Sequence, residues 1–408
     1  MREKIFAKKI QAHGGRVYIA GGWVRDKVRG VKAKDKDYVV SGLAEKLFCQ
    51  LFPLARKVGK SFPVYLLEID QKNCEIAFAR REKKNGLGYR GFSVVYDETV
   101  TIEEDLYRRD TTMNSMAWEL PDGRLLDPYD GQADIQKKII RATSAHFLED
   151  PVRALRAARQ AAEMEFSIED ATVMLMRQCR SELAAEPQER FLQELVRALH
   201  CPRPSLFFRA LQAADLLAIA FPEIFALIGK TQPVDVHPEG DAFEHTLQLV
   251  DQVAALDCRP LVRFAALLHD LGKGVTPVAD LPHHFGHESA GLEVLAAWSA
   301  RMTFPKRWLQ GAAFAIREHM RAPQINKAGK IVELLLAAEK NPLGLSGFTA
   351  IILADNKSLP DYLEHYDIYL PAIHAVQADE RPPELAGKAI GEWLRQKQVQ
   401  AYQTAVGN

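Results

Sequence analysis

The sequence has no long apolar run. No stretch approaches the ~18 residues that a membrane-spanning helix needs, and the longest candidate, Leu216 to Gly229, is broken by Pro222 and Glu223. No membrane partner is therefore expected. Cysteine is scarce: Cys49, Cys74, Cys179, Cys201 and Cys258 are scattered, odd in number and form no CxxC pair. That pattern argues against a disulfide framework and a cysteine zinc site, and it fits a reducing cytoplasm. The opening MREKIFAKKIQAHGG carries charge but no apolar segment, so no signal peptide is expected. Internal repeats and low-complexity tracts are lacking as well.

What is there is ordinary globular composition, with 47% hydrophobic and 26% charged residues, which excludes a largely disordered chain. At 408 residues there is room for about two to four domains, each burying its own core. The net charge of zero hides an asymmetry. Residues 1–140 hold 26 Lys and Arg against 20 Asp and Glu, and the remainder holds 27 against 33. A basic front half suits a polyanionic partner.

The front half mixes strand and helix signals. RVYIAGG is a short apolar run ending in two glycines, a strand entering a tight loop, and WVRDKVRG starts a helix after it. KDKDYVVSG, SFPVYLLEI and CEIAFAR read as further strands, and NGLGYRGF (85–92) as a glycine-rich loop. From about residue 141 strand signals nearly vanish. EDPVRALRAARQAAEM has helical period, with Asp150 as N-cap and Pro151 at the first helical position. Proline-containing stretches near 202–204, 222, 233–238 and 276–282 separate the later helices. The expected architecture is an α+β head, a mixed sheet with helices, followed by a long all-α body.

Three groups in the head carry chemistry. Gly21 and Gly22 let backbone N–H groups approach a phosphate closely, and Arg25 one turn on adds a charged fork. Asp35 and Asp37 are two apart, so on a strand they point to one face. Two carboxylates there repel unless a cation sits between them, and Mg²⁺, which completes its shell with substrate phosphate oxygens and water, fits that role. Arg153, Arg156 and Arg159 recur every three residues behind Asp150 and form a row on one side of a helix. A carboxylate can accept from an exocyclic amine, and a guanidinium can donate to a ring nitrogen or carbonyl. Glu75 on CEIAFAR is a candidate third carboxylate at the metal site. Arg80, Arg81, Lys83 and Lys84, ahead of the glycine-rich loop, are candidates for phosphate contact.

The combination GGWVRD…KDKDYVVSG resembles the polymerase-β-like nucleotidyltransferase superfamily, and more narrowly the class II tRNA nucleotidyltransferases and bacterial poly(A) polymerases. LYRRDTTMNSMAW resembles the family's RRD motif, with Arg108, Arg109 and Asp110 before a helix. LLDPYDGQADI resembles its DP-x-x-G segment (Asp127, Pro128, Gly131), and EDPVRALRAAR its EDxxRxxR helix. Ser115 departs from the small apolar residue more usual there. The resemblance implies that Asp35 and Asp37 are catalytic and hold Mg²⁺. It implies that Gly22, Arg25 and Arg109 position the triphosphate and sugar of ATP or CTP. Asp150 and Arg153 would read the base edge as a protein template, with Arg156 and Arg159 holding base or phosphate.

The second half is rich in histidine, with seven of twelve between 237 and 319. Imidazole and carboxylate are good ligands for divalent transition metals. Adjacent residues on a helix diverge by about 100°, so His269 and Asp270 can share a metal only where both turn to a cleft. FEHTLQLV (His245), ALLHDLGKG (His269, Asp270) and ILADNKS (Asp355) resemble the HD phosphohydrolase domain. This implies a divalent-metal site, with nickel the ion the resemblance suggests, acting on phosphate esters. His283, His284 and His287 form an extra cluster that His319 joins.

A head of this kind fused to an HD domain resembles the CCA-adding enzymes that carry one. The implied activity is addition of C, C and A to the tRNA 3′ end from CTP and ATP, with 2′,3′-cyclic phosphodiesterase, 2′-nucleotidase and phosphatase activities from the HD site. The implied partner is the tRNA acceptor end. The alternatives are a poly(A) polymerase, and an HD nucleotide phosphohydrolase with a non-catalytic head. The expected domains are a catalytic head (1–140), a helical neck and body binding base and tRNA (141–225), the HD domain (226–360) and a helical tail (361–408). Oligomeric state is open, a homo-oligomer included.

Overall fold

The computed structural model describes residues 1–33, 35–58, 62–84, 86, 92–235, 237–377 and 382–407. The glycine-rich loop read at 85–92 lies almost wholly outside them. The chain divides into two compact units, residues 1–191 with 209–220, and residues 192–208 with 221–408.

The first unit is built on strands β1 (Arg16–Ala20), β2 (Asp37–Ser41), β3 (Arg56–Lys57), β4 (Val64–Ile69), β5 (Lys72–Phe78), β6 (Arg81–Lys84), β7 (Phe92–Val95), β8 (Ala117–Leu120) and β9 (Arg124–Leu126). Seven of them form one mixed sheet in the order β3-β4-β5-β2-β1-β8-β9, while β6 and β7 pair as a separate hairpin. β1 and β2 are buried at every residue but their first, so each carries a short continuous apolar stretch, Val17–Ala20 and Tyr38–Val40. One face packs on Phe6 and Ile10 of the helix Glu3–Gln11 and on Phe48, with Phe6 edge-on to Tyr38. On the other, Tyr18, Ala20, Val39 and Ala117 share a cluster with Ile102 and Leu106 of the helix Ile102–Tyr107.

Two local expectations are corrected. The strand begins at Asp37, so Asp35 lies in the approach to it. After Asp110 there is no α-helix but a single 3₁₀ turn, Thr112–Asn114, and then β8. Side-chain hydroxyls supply the reason, because they bond elsewhere and compete with a helical ladder. Thr111 Oγ1 donates to Gln160, Thr112 Oγ1 to Asp134, and Ser115 Oγ to the Thr111 carbonyl. The helix Val152–Met164 does begin as its sequence suggests. Pro151 already has helical angles (φ −62°, ψ −22°), and Asp150 Oδ1 accepts from the Val152 N–H at 3.1 Å. Its alanines 154, 157, 158 and 161 are buried.

The second unit is helical. Ala242–Leu256, Pro260–Leu268, Lys306–Glu318, Ala328–Lys340 and Gly344–Asn356 close around one core. Tyr362, Tyr369, Ile373 and Tyr402, from the region after residue 360, belong to that same core. Among the described glycines, the tightest backbone approach is at Gly272, just beyond Asp270. A Cβ there would lie 1.9 Å from the His287 carbonyl oxygen and 2.5 Å from the Gly291 nitrogen. The helix His287–Arg301 can therefore seat against this turn only over a glycine. We expect Gly272→Ala to cost more than about 3 kcal/mol, beyond ordinary overpacking. Thermal unfolding of the full chain checks it, and an unchanged midpoint would contradict the packing.

Candidate active sites

The parallel pairing of β2 with β5 sets Asp37 opposite Glu75 and Val39 opposite Ala77. All four line one cavity of about 740 Å³ in the first unit. Period 2 puts Asp37 and Val39 on one face, the face against which the helix Ile102–Tyr107 packs. That helix ends where Arg108 and Arg109 begin, and both line the cavity. Gly22, Arg25, Asp150, Arg153, Arg156 and Arg159 line it too. Asp35 is exposed and not among the lining residues, yet its charge acts on Asp37. Desolvation at the cavity wall, and then the Glu75 and Asp35 carboxylates, push the Asp37 carboxyl above its ordinary value against the pull of Arg109. Lys36 points elsewhere, to Glu3 at 2.6 Å. Asp37 and Glu75, paired across the two strands, are oxygen donors of the kind a hard divalent ion takes.

Buried carboxylates aim the arginines. Asp105 receives Arg108 Nη2 at 2.6 Å and Arg109 Nη2 at 2.9 Å. Burial alone would push its carboxyl up, but the two guanidiniums hold it well below the usual range. Arg109 Nη1 then lies where a Cβ on Gly21 would be 2.9 Å away, and Gly21 has φ +80°, so any other residue is both strained and in the way. Asp110 accepts from Arg156 Nε (2.8 Å), Gln160 Nε2 (3.2 Å), Asn114 Nδ2 (3.0 Å) and the Thr111 N–H (2.8 Å). Burial again opposes its ionisation, and Arg156 leads the groups that overcome it. Arg25 Nε donates to Asp26 (2.9 Å) and Arg25 Nη1 to Asn114 (3.2 Å). Arg159 Nη1 donates to Glu163 at 2.7 Å. Arg153 donates to the His146 carbonyl, and Asp150 Oδ2 accepts from Arg190 at 2.8 Å. Arg80 lies 3.3 Å from the Phe62 ring centroid, and burial lowers its pKa to about 10. Sequence reasoning missed Asp105, whose signal was its spacing of three and four residues before Arg108 and Arg109.

In the second unit, His245, His269, Asp270 and Asp355 converge. The helix Pro260–Leu268 stops just before His269, and Asp270 (φ −104°, ψ 15°) lies beyond it, which frees the pair from the 100° separation of helical neighbours. His245 Nε2 is 3.1 Å from Asp355 Oδ1 and 3.8 Å from Asp270 Oδ2. His269 Nε2 is 3.1 Å from Asp270 Oδ2 and 3.8 Å from Asp355 Oδ1. His269 Nε2 and both Asp270 oxygens are buried without a well-formed hydrogen bond, a donor set that fits a divalent transition ion. Two neighbours went unread. Glu239 accepts from His245 Nδ1 and so turns Nε2 inward, an orienting contact usual behind ligating imidazoles. Lys273 Nζ lies 2.6 Å from Asp270 Oδ2 and 2.5 Å from Gln232 Oε1, and its signal was the i+3 spacing from Asp270. The extra histidine cluster is corrected in part. His287 and His319 meet at Asp270 Oδ1, each at 3.3 Å. His284 instead bonds Thr276 and the Thr231 carbonyl, and His283 stacks on Phe285.

The chain matches three family models in order: the Poly A polymerase head domain over residues 17–141, the probable RNA and SrmB-binding site of polymerase A over 165–228, and the HD domain over 242–346. A multifunctional CCA protein of Nitrosococcus oceani is 40% identical over 405 residues, covering 96% of this chain and 98% of its own. One from Paraburkholderia phytofirmans is 38% identical over 419 residues, covering 96% and 99%. The solved structure of the Bacillus stearothermophilus CCA-adding enzyme in complex with CTP has a TM-score of 0.67 at 22% identity, covering 99% of this chain and 94% of that one. At that identity it speaks for the fold. No described helix is long and apolar enough to cross a membrane, and all five cysteines are free.

The raised Asp37 pKa has a thermodynamic sign. A carboxyl whose folded value exceeds its unfolded one costs stability once ionised, and the cost disappears as pH falls below the unfolded value. In chelator at pH 7, Asp37→Asn should raise the unfolding temperature, with the gain shrinking on acidification through the carboxylate range. A lower unfolding temperature for the variant at pH 7 would count against the crowding.

Proposed function

The chain belongs to the family of multifunctional CCA proteins, and we propose on that premise that it adds C, C and A to the 3′ end of tRNA, the 3′-hydroxyl attacking the α-phosphate of CTP or ATP and pyrophosphate leaving each time. The observation that carries this reading is the single cavity holding Asp37 and Glu75 together with Arg109 and the Asp150–Arg159 row. Residues 1–140 supply the catalytic wall, and 141–225 the base-reading helix and the surface for the tRNA acceptor end, bound by shape and phosphate contacts.

Asp35 and Asp37, with Glu75 beside them, would hold Mg²⁺. When bound, the ion lowers the pKa of the attacking 3′-hydroxyl and neutralises triphosphate charge. The protein's own groups do the rest. Arg25 and Arg109 hold the triphosphate while the Gly22 backbone lets it approach closely. Asp150 accepts from the exocyclic amine that cytosine and adenine share, and Arg153 donates to the ring edge. Arg156 and Arg159 fix base or phosphate. Anchoring by buried Asp105 and Asp110 means that Arg109 and Arg156 need no reordering when the nucleotide arrives.

The second site, within residues 226–360, is read as a phosphohydrolase acting on 2′,3′-cyclic phosphates, 2′-phosphates or similar RNA ends. His245, His269, Asp270 and Asp355 would hold a divalent transition ion there, with Ni²⁺ our choice. The ion would supply Lewis-acid polarisation of the phosphate ester. Glu239 keeps the His245 ring turned inward, and one water is consumed, its oxygen bonding to phosphorus as the ester oxygen leaves.

Incubating tRNA that lacks its 3′ end with all four nucleotides, then sequencing the product, tests the first activity. We expect one C, a second C and one A. Long adenylate tails without C would mean a poly(A) polymerase, and no extension would leave the HD hydrolase with a non-catalytic head. Asp35→Ala with Asp37→Ala should abolish extension and leave phosphodiesterase activity intact, while His269→Ala should do the reverse. Loss of both activities in either variant would contradict independent sites. Arg153→Ala should cut the preference for CTP over UTP about tenfold or more, on the ~1–3 kcal/mol that a specific base-edge pair carries. An unchanged preference would remove Arg153 from base reading.

A further inference from the structure

Beside the transferase cavity lies a second one of about 590 Å³, the size of a pocket for a small organic ligand. Glu82 and Arg108 line both. Three rings shape it. Tyr107 and Tyr129 have centroids 5.6 Å apart at 41°, and Tyr107 and His146 5.2 Å apart at 78°. The Tyr129 hydroxyl donates to the Glu103 carbonyl at 3.0 Å, and His146 Nδ1 lies 2.9 Å from Glu149 Oε1. Tyr107 is held by its backbone, whose carbonyl accepts from Ser144 Oγ at 2.9 Å, while the residue stays 43% exposed. Rings set at such angles form a corner. A flat base stacks on parallel faces, whereas a corner of aromatic faces encloses a rounded positive charge.

The polar groups around the cavity favour the same sign of charge. Every nitrogen of Arg108 already bonds the protein: Nε the Arg80 carbonyl (3.2 Å), Nη1 Glu82 (2.9 Å) and Nη2 Asp105 (2.6 Å). Arg81 Nη2 donates to Thr99 Oγ1 at 2.9 Å, and its Nε lies 3.4 Å from Glu104 Oε1. Both guanidiniums that line the cavity are thus engaged, and a phosphate would have to break those bonds to be received. Carboxylate is in better supply. Glu103 is exposed, and its side chain makes no hydrogen bond or ion pair among the described residues. The Arg81–Glu104 pair is partly exposed, and such pairs hold weakly, so a second cation can share Glu104. Val95, opposite Arg81 in the β6–β7 hairpin, adds exposed apolar surface.

We propose that this second cavity binds a linear polyamine. One ammonium group lies against the ring faces of Tyr107, Tyr129 and His146 with Glu103 as its counter-ion, a second meets Glu104, and the methylenes between them cover Val95. The cavity is larger than a single ammonium group fills, and two carboxylates stand at it, so a chain with two or more positive charges fits it better than a lone quaternary ion. Its place in the fold is close to base reading. Glu82 Oε2 lies 3.8 Å from Arg153 Nη2, and the His146 carbonyl accepts from Arg153, so the bound chain would stand one residue away from the nucleotide's own cavity.

Calorimetric titration of the full chain with spermidine tests the site, in chelator and without RNA or nucleotide. Asp35→Ala with Asp37→Ala serves as the parent, so that those acids of the first cavity take no ammonium. One spermidine should bind per chain. Tyr107→Ala and Glu103→Gln should each weaken it about fivefold or more, whereas Tyr107→Phe, which keeps the ring, should leave it unchanged. A neutral diol of similar length should not bind. Saturation transfer from aromatic protons to the methyl groups of tetramethylammonium, suppressed by spermidine, should be seen on the parent itself, so the site is read even where a variant fails to fold. No binding of spermidine, or binding that Tyr107→Ala and Glu103→Gln both leave unchanged, would overturn the site. Adenosine bound in a Tyr107-dependent way, with spermidine ignored, would overturn the ammonium and leave a base-stacking pocket instead.

Discussion

The register between β2 and β5 is the constraint on which the first unit's chemistry depends. Parallel pairing sets Asp37 beside Glu75 on the face that looks toward Arg109. A slip of β5 by one residue against β2 would turn Glu75 to the opposite face, away from Asp37. The register is held by burial: Val39 on this face and Ile76 and Phe78 on the other cannot leave the core without cost, and the acidic pair travels with them. Carboxylate crowding is thus a by-product of apolar packing rather than something the acids arrange for themselves.

The arginines across the cavity follow a different principle. A flexible guanidinium on the surface costs entropy to fix, and a buried one costs desolvation. Here Asp105 and Asp110, both fully buried, offset the second cost and remove the first. Each carboxylate bonds two or more partners, so neither charge is left uncompensated. Arg109 and Arg156, which would touch nucleotide, are therefore held by acids that would not touch it.

The second unit gathers its donors by ending helices. His269 and Asp270 follow the last turn of one helix, His319 follows another and His287 begins a third. Side chains at such ends escape the fixed angular spacing of a continuous helix, and several can aim at one point. Each imidazole is oriented by a bond on its far side, to a backbone carbonyl or to Glu239. That far-side bond selects which nitrogen faces inward.

The amino-acid sequence alone determined the α+β head and helical body, most of the strands of the main sheet, and the residue types at both sites. Those features are encoded locally, in apolar runs, glycine pairs, a proline-started helix and short acidic or histidine motifs. It did not reveal β8 after the Arg108-Arg109-Asp110 segment, because hydroxyl side chains there bond to Asp134 and Gln160, far along the chain. Nor did it reveal Asp105, Glu239 and Lys273 as orienting partners, or separate His287 and His319 from His283 and His284. Which imidazoles meet at Asp270 was decided by the tertiary structure, because convergence depends on where helices stop and on how closely Gly272 lets two backbones approach, and neither is a property of any short stretch of residues.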